Sequence, residues 1–245
     1  MRTLGVDTAT STASVAIVED GTVVAEKILP PRGSADGSPV NRFKSNHAET
    51  LLPLIESVLR TAALSLPDVS ALAVSIGPGS FTGLRIGLST IKGLAYGWDI
   101  PLVGVSTLLA NAARVTGHDG LICSLLDARK KEVYASLFHR AGGALERVTE
   151  DSMLDVTEVI GLVREHEGPC LFVGDGVAVY KELLRESLGD VAGFCGEDTS
   201  PSVAAAVAWL GEERCGSGDG HPLIPLAPIY LRSSEAEVKR KIYTN

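Results

Sequence analysis

The sequence predicts an α/β protein built from two similar lobes, and three observations carry this prediction. A short apolar run ends at Asp7 and is followed by a polar turn and a strand of alternating pattern. The same order of strand, aspartate, turn and returning strand occurs around Asp127. A glycine-rich polar break at 116–120 separates the two copies. We therefore expect an N-terminal lobe over 1–117 and a C-terminal lobe over 118–245, each a mixed sheet with helices packed on it.

Apolar runs and helical periodicity alternate along both halves of the chain. A loop rich in Pro, Gly and Ser is expected over 30–41, and Gly97 is expected to end the second helix. In the first half the pattern predicts strands over 4–6, 13–17, 22–28, 71–76 and 102–105, and helices over 47–63, 81–96 and 107–114. In the second half it predicts strands over 121–126, 132–139 and 170–173, and helices over 155–165, 179–188 and 202–213.

Charge and hydropathy narrow the class of protein. Thirty acidic against 22 basic residues give a net charge of −8, which repels a phosphate backbone at long range and argues against unaided nucleic-acid binding. The N-terminus reaches Asp7 before an apolar stretch of signal-peptide length can form, and no run of about 18 apolar residues follows. The sequence therefore predicts a cytoplasmic protein without a membrane segment.

Histidine and cysteine spacing predicts no metal site. The four cysteines form no C-x-x-C pair, which argues against a zinc knuckle or a redox motif. His47 is followed four positions later by Leu51 and not by a second histidine, so the spacing of a helical metal pair is missing. On this pattern alone, His47 is a capping or surface histidine.

The two repeated turns resemble phosphate-binding turns that have lost their glycines. A strand-turn-strand unit with an aspartate before the turn is how the actin, Hsp70 and sugar-kinase superfamily holds nucleotide phosphates on backbone amides. Such turns favour glycine, which allows close backbone approach, yet both copies here lack it. We interpret them as an inherited scaffold, with two capped hairpins as the plainer alternative. The vestigial phosphate-loop positions are Asp7, Thr8, Thr10, Asp127 and Arg129.

A glycine-rich loop over 77–83 follows a strand and opens the second predicted helix, so its amides could bind an anion. It lacks the lysine of a P-loop, and Phe81 stands where a nucleophile elbow would have serine. A tight structural turn is an equally good interpretation.

The first two helices carry the patterns of an interface. Apolar residues of the first helix cover an arc of about 160°, wider than the roughly 100° stripe that a surface helix needs, so part of that face should have a second partner. Glycines of the second helix fall within about 120° of one another, which permits close helix approach. The alternative is that both helices pack only on their own sheet. The predicted interface comprises His47, Leu51, Leu52, Ile55, Val58, Leu59, Gly83, Arg85, Gly87, Leu88, Ser89, Lys92, Gly93 and Tyr96.

Taken together, these motifs resemble the TsaB (YeaZ) family. The resemblance rests on Gly5-Val6-Asp7-Thr8 with Ser14-Val15-Ala16, on His47-Ala48-Glu49-Thr50-Leu51-Leu52-Pro53-Leu54-Ile55, and on Gly77-Pro78-Gly79-Ser80-Phe81-Thr82-Gly83-Leu84-Arg85-Ile86-Gly87. It extends through Gly93-Leu94-Ala95, Asp127-Ala128-Arg129 and Glu132-Val133-Tyr134. It is dense over roughly the first 140 residues and looser afterwards, and the tail from Leu188 onward matches poorly.

The resemblance implies an actin-like (ASKHA) fold and a place in the synthesis of N6-threonylcarbamoyladenosine, next to the anticodon of tRNAs that read ANN codons. In that family the subunit is not the transferase: its catalytic paralogue TsaD carries a metal-binding histidine pair, which this sequence lacks at Leu51. The resemblance further implies a heterodimer with TsaD through the first two helices, a homodimer when TsaD is absent, and the small ATPase subunit TsaE as a further partner. It implies that the chain has no intrinsic cofactor and that ATP or ADP binds only in the complex. It also implies that tRNA is bound only by the complex.

Two enzymatic alternatives are weaker. A stand-alone ATP-dependent phosphotransferase or ATPase of the actin-like superfamily would need Asp7 or Asp127 to hold a magnesium-bound nucleotide. A protease is suggested only by the family's kinship with proteins once called glycoproteases, and the sequence offers neither a metal pair nor a credible catalytic triad.

Overall fold

The computed structural model describes residues 1–29, 47–195, 202–217 and 226–232. Two mixed sheets form its framework. The first half of the chain contributes five strands and three helices: β1 (Arg2–Asp7), β2 (Ala13–Glu19), β3 (Thr22–Leu29), α1 (His47–Thr61), β4 (Ala71–Gly77), α2 (Phe81–Trp98), β5 (Leu102–Ser106) and α3 (Thr107–Ala113). The remainder contributes β6 (Gly120–Asp127), β7 (Glu132–Ala141), β8 (Ala144–Arg147), β9 (Ser152–Asp155), α4 (Val156–Arg164), β10 (Cys170–Val173), α5 (Gly176–Leu188), β11 (Ala192–Phe194) and α6 (Val203–Gly216).

The two sheets have the same topology, which confirms the internal repeat. The strand order is β3-β2-β1-β4-β5 in the first and β8-β7-β6-β10-β11 in the second, where β9 also pairs with β7. In each sheet three antiparallel strands come first, and the next two strands run parallel to the opening strand. Because the opening strands correspond, Asp7 and Asp127 end equivalent strands.

The cores follow from the apolar patterns of these elements. In the first lobe, Leu4 and Val6 of β1 and Leu72 and Val74 of β4 share one cluster with the buried faces of α1 and α2. In the second, strands β6, β7 and β10 pack against α4 and α5. Burial of this apolar surface is the main source of stability for each lobe.

Helix α6 corrects the expected lobe boundary. It lies in the segment assigned to the C-terminal lobe, 118–245, yet it packs across β1, β2 and β4 of the first sheet. Ala206 and Val207 of this helix share a buried cluster with Ala73, Val103 and Val105. The N-terminal lobe is therefore completed by residues from the end of the chain, and the two lobes are not successive segments.

Residues 226–232 also return to the first lobe. The Ile229 amide donates to the Ile76 carbonyl oxygen over 2.7 Å, and Leu226 packs against the first core. From there the segment reaches the second lobe, where Arg232 donates to the Ala128 carbonyl oxygen over 2.6 Å. This segment therefore joins the two lobes.

Most predicted elements are confirmed, with three kinds of difference. Helix α2 continues past Gly97 to Trp98 and ends at Asp99, whose φ of 52° makes it the left-handed cap. Helix α5 begins at Gly176, earlier than expected. The short strands β8, β9 and β11 were not predicted. The predicted loop at 30–41 lies outside the described residues. Within the described ranges, no helix is long and apolar enough to cross a membrane.

Candidate functional site

The apolar arc predicted on α1 is mostly core. Leu51, Ile55, Val58 and Leu59 are at most 9% exposed and belong to the cluster that packs on the first sheet. Leu88 of α2 is buried in the same cluster. The prediction that these five side chains contact a partner is wrong, because they have almost no surface left to offer.

The glycines of α2 divide into two groups. Gly83 and Gly87 face the turn after β1, where a Cβ on either residue would collide with Thr8. The expectation that these two glycines form part of a smooth partner surface is therefore wrong, since they seat α2 on its own lobe. Gly93 is exposed, and a Cβ there would meet no atom of the described residues within 4 Å. Gly97, near the end of the same helix, is equally open.

Both helices nevertheless present large apolar side chains to solvent. Leu52 of α1 is 52% exposed, and on α2 Tyr96 is 83% and Trp98 is 53% exposed. The predicted interface includes Leu52 and Tyr96 but not Trp98, which could have been found as a large apolar residue in the last turn of α2. We define the helix face as the exposed surface that comprises Leu52, Gly93, Tyr96, Gly97 and Trp98; on α2 these residues span an arc of about 200°. Large exposed apolar groups on adjacent elements are typical of surfaces that bind other proteins.

The polar residues assigned to the interface lie in different surroundings. Ser89 is exposed and Lys92 is half-buried. Arg85 is exposed but engaged, because its guanidinium stacks 3.8 Å from the centre of the Phe81 ring and donates to the Tyr230 hydroxyl over 2.9 Å. Arg85 is therefore already hydrogen-bonded to Tyr230, in the segment 226–232 that joins the lobes.

The turn after β1 is closed by its own hydrogen bonds. The Thr8 hydroxyl is buried and donates to the Gly83 carbonyl oxygen over 2.8 Å. The Ala9 amide donates to Asp7 Oδ1 over 3.3 Å, and the Ala9 carbonyl oxygen accepts from the Ser80 amide over 2.6 Å. Thr10 accepts from the backbone of its own turn through its hydroxyl. The glycine-rich loop thus acts as a structural turn, with Ser80 as the N-cap of α2.

The turn after β6 is closed in the same way. The Arg129 amide donates to Asp127 Oδ1 over 2.8 Å, and the Ala128 amide donates to the Glu132 carbonyl oxygen over 3.0 Å. The Asp127 amide in turn donates to Asp175 Oδ1 over 3.1 Å. In both turns, the amide two residues after the aspartate is already used within the chain, by a hydrogen bond to that aspartate.

Asp7 and Asp127 end strands β1 and β6, and Asp175 lies two residues after β10. The negative charges of the first two influence the third. Burial raises the pKa of Asp7, opposed by hydrogen-bond donors and by the nearby His47 and Arg114. Asp175 retains solvent access, yet desolvation by surrounding protein raises its pKa to about 6, with further contributions from Asp127 and Asp7. Asp175 was not among the predicted site residues, although it lies two residues after β10, near a strand end like Asp7 and Asp127.

These aspartates gather negative charge without forming a recognisable metal centre. In the part of the chain that the structure describes, no three side chains of His, Cys, Asp or Glu come together as metal ligands would. His47 lies at the start of α1, near enough to Asp7 to affect its pKa. Its i+4 neighbour Leu51 is 1% exposed and points into the core.

Sequence comparisons identify related proteins along the whole chain. Residues 41–239 match the family model for TsaD, tRNA N6-adenosine threonylcarbamoyltransferase. The chain is 34% identical to the tRNA threonylcarbamoyladenosine biosynthesis protein TsaB of Bacillus subtilis (strain 168), over 98% of this chain and 97% of the relative. It is 32% identical to the protein of the same name from Escherichia coli (strain K12), over 96% of each.

Solved structures support the same grouping and the wider fold. YeaZ from Pseudomonas aeruginosa aligns with a TM-score of 0.72 at 26% identity, over 94% of this chain and 99% of that one. More distant are component A of (R)-2-hydroxyglutaryl-CoA dehydratase from Acidaminococcus fermentans, with a TM-score of 0.54 at 14% identity, and the ROK hexokinase of Thermus thermophilus, with 0.51 at 12%. They cover 88% and 89% of this chain and 99% and 100% of their own. These two show the fold alone, which is the expected actin-like architecture.

Proposed function

The chain belongs to the TsaB family of tRNA threonylcarbamoyladenosine biosynthesis proteins, within the broader TsaD group, and we propose that it is the non-catalytic subunit that binds and activates the TsaD transferase. The modification in question is N6-threonylcarbamoyladenosine next to the anticodon of tRNAs that read ANN codons. We expect the chain to act in the cytoplasm, where tRNA is modified.

The observation that carries the proposal is the helix face. Leu52, Tyr96 and Trp98 are each more than half exposed, although α1 and α2 are otherwise well packed on their sheet. Tyr and Trp are the side chains that most often dominate the binding energy of protein interfaces. Gly93 and Gly97 lie between and beside the aromatic residues of α2, where their lack of a side chain lets another helix approach closely.

A non-catalytic role is supported by the position that pairs with His47. In a helical metal pair the second histidine lies four residues after the first. Here that position is Leu51, whose side chain is buried in the apolar core of the first lobe. Replacing this core contact by a metal ligand would require a different packing of α1, so the chain does not carry the ligand pair that the resemblance assigns to TsaD.

The absence of an intrinsic nucleotide cofactor is also part of the proposal. The amides of the two turns are engaged within the chain, at Ala9 and Arg129. The carboxylate of Asp175 accepts from the Asp127 amide and is influenced by the negative charges of Asp127 and Asp7, and these carboxylates would repel a phosphate that no cation accompanies. We propose that ATP or ADP binds only in the assembled complex, where TsaE would be the ATPase subunit.

The same helix face would serve self-association. When TsaD is absent, a second copy of the chain can cover the exposed apolar side chains, which gives a homodimer. When TsaD is present, the heterodimer replaces it. The tRNA is then bound only by the complex, in keeping with the net charge of −8 on this chain.

Reconstitution with TsaD tests the proposal. We would measure complex formation by light scattering, and transfer of labelled threonylcarbamoyl to tRNA with and without this chain. A stable heterodimer that restores transfer supports the proposal. Failure to bind TsaD, or full transfer by TsaD without this subunit, contradicts it.

The alternative function is ATP turnover by the isolated chain. It is considered because one of the two distant structures that share the fold is a hexokinase. Calorimetry with ATP and magnesium separates the two functions. The alternative requires micromolar ATP binding that is lost in Asp7→Asn, whereas the scaffold function requires TsaD binding to survive that substitution.

A further inference from the structure

The turn between β6 and β7 has an unusual backbone and an unusual composition. Arg129, Lys130 and Lys131 have φ values of 62°, 57° and 68°, so three consecutive residues other than glycine are left-handed. Each costs about 1–2 kcal/mol relative to the ordinary conformation, and glycine or asparagine would relieve that cost. The chain has instead placed three cationic side chains there.

The C-terminal segment fixes this turn at both ends. Arg232 donates to the carbonyl oxygen of Ala128, immediately before the turn, over 2.6 Å. Its guanidinium also forms an ion pair with Glu132, immediately after the turn. Together with the hydrogen bond from the Arg129 amide to Asp127, these contacts hold the turn in one conformation. A preorganised group loses less entropy when it binds.

The three side chains remain available. All three residues are exposed, and none forms an ion pair with another described residue. Lys131 has an acidic residue nearby, since it contributes, after the hydrogen bonds from Thr157, to the lowered pKa of Asp155. A compact cluster of positive charge therefore stands out on a chain whose net charge is −8.

We propose that the turn Arg129–Lys131 contacts the phosphate backbone of tRNA when the chain is assembled with TsaD. The inference rests on the proposed function and adds a surface to it. Cations that position an RNA without reading its sequence are the usual contacts to phosphate. Three cations held close together on one turn suit the closely spaced negative charges of a nucleic-acid backbone. An acidic protein surface is the competing occupant.

The test uses the assembled complex and the variant Arg129→Asn/Lys130→Asn/Lys131→Asn. Asparagine tolerates the left-handed region, so the charge is removed while the turn is kept. We would measure tRNA affinity at salt concentrations from about 50 to about 200 mM. The affinity at low salt is expected to fall roughly tenfold or more, and the slope of log K against log salt is expected to decrease by about one for each phosphate that the variant no longer neutralises.

A matched control removes three positive charges from helices of the same lobe, through Arg164→Gln/Lys181→Gln/Arg185→Gln. The control is expected to keep the affinity and the salt slope of the parent complex. The thermal midpoint of the asparagine variant should not fall, because the substitution relieves backbone strain. A merely structural role of the turn would instead lower it.

Three results would overturn the inference. If the complex still forms with the asparagine variant and its salt slope is unchanged, the turn does not contact tRNA, and the proposed function is unaffected. Loss of TsaD binding by the asparagine variant makes the turn a protein contact. If the unmodified chain forms no complex with TsaD, the proposed function fails, and the inference fails with it.

Discussion

The α-carbon of Gly87 lies against Thr8 so closely that a Cβ on residue 87 would collide with the Thr8 hydroxyl oxygen. That hydroxyl already donates to the Gly83 carbonyl oxygen over 2.8 Å. Two small residues of α2 and one buried threonine thus join the helix to the turn that follows β1. A feature that suggests an interface between proteins is, in this half of the helix, an internal contact.

Alanine substitutions at the two kinds of glycine should therefore have opposite effects on stability. Gly87→Ala forces Thr8 to move within a packed site, and we expect it to lower the free energy of unfolding by about 1–3 kcal/mol. Gly93→Ala adds a helix-favouring residue in open space and should raise it by about 0.5–1 kcal/mol. Urea denaturation measures both, and a stabilised Gly87→Ala variant would show that Thr8 yields without cost.

The strands and helices were predictable because their apolar residues recur at regular intervals. Strands β8, β9 and β11 escaped prediction because they are only three or four residues long and partly exposed. A short half-exposed strand has no alternation that a sequence pattern can reveal. Its pairing is determined by the neighbouring strand instead.

Long-range packing was harder to predict than local structure. Residues 204–208 of α6 are all buried, so the first part of the helix is apolar all round and its sequence does not indicate which sheet it covers. The same limit applies to α1, where periodicity gives the width of the apolar arc but not its partner. Leu51 faces the core and Leu52 faces solvent, a distinction that depends on how the helix is seated.

A charged side chain at Gly93 should block pairing and leave the fold intact. Gly93→Glu introduces bulk and charge into the helix face, where a Cβ would meet no described atom within 4 Å outside its own stretch of helix. We expect the heterodimer with TsaD, and the homodimer, to be lost in light scattering. The control is Gly161→Glu, since Gly161 is also an exposed helical glycine with open space around it. Equal pairing by the two variants would contradict the assigned surface.

The exposed aromatic residues of α2 should carry much of the binding energy. Tyr96→Ser or Trp98→Ser removes a side chain that is at least 53% exposed, so we expect little change in the free energy of unfolding. The affinity for TsaD should fall about tenfold or more for each. Titration with labelled TsaD measures the loss, and a variant that binds as well as the parent places that residue outside the interface.

Adjacent leucines of α1 provide a sharper separation of folding from binding. Leu51→Ala opens a cavity in the first core, and we expect the free energy of unfolding to fall by about 2–5 kcal/mol. Leu52→Ala removes an exposed side chain and should weaken TsaD binding with a small effect on stability. Circular dichroism in urea measures the free energy of unfolding of both variants, and titration with TsaD measures their affinity. If Leu52→Ala is as destabilising as Leu51→Ala, the seating of α1 is wrong.

The pH dependence of stability should change in Asp175→Asn. Because the pKa of Asp175 is raised to about 6, against about 3.9 in an unfolded chain, the folded state keeps a proton that the unfolded state releases. This contribution to stability is full below about pH 4 and is lost as the pH rises to about 6.

The asparagine oxygen of the Asp175→Asn variant can still accept from the Asp127 amide. The variant should therefore match the parent near pH 4 and exceed it by about 1 kcal/mol at pH 7, after allowance for solvent screening. Urea denaturation at both pH values measures this, and a constant difference would mean that the Asp175 carboxyl titrates normally.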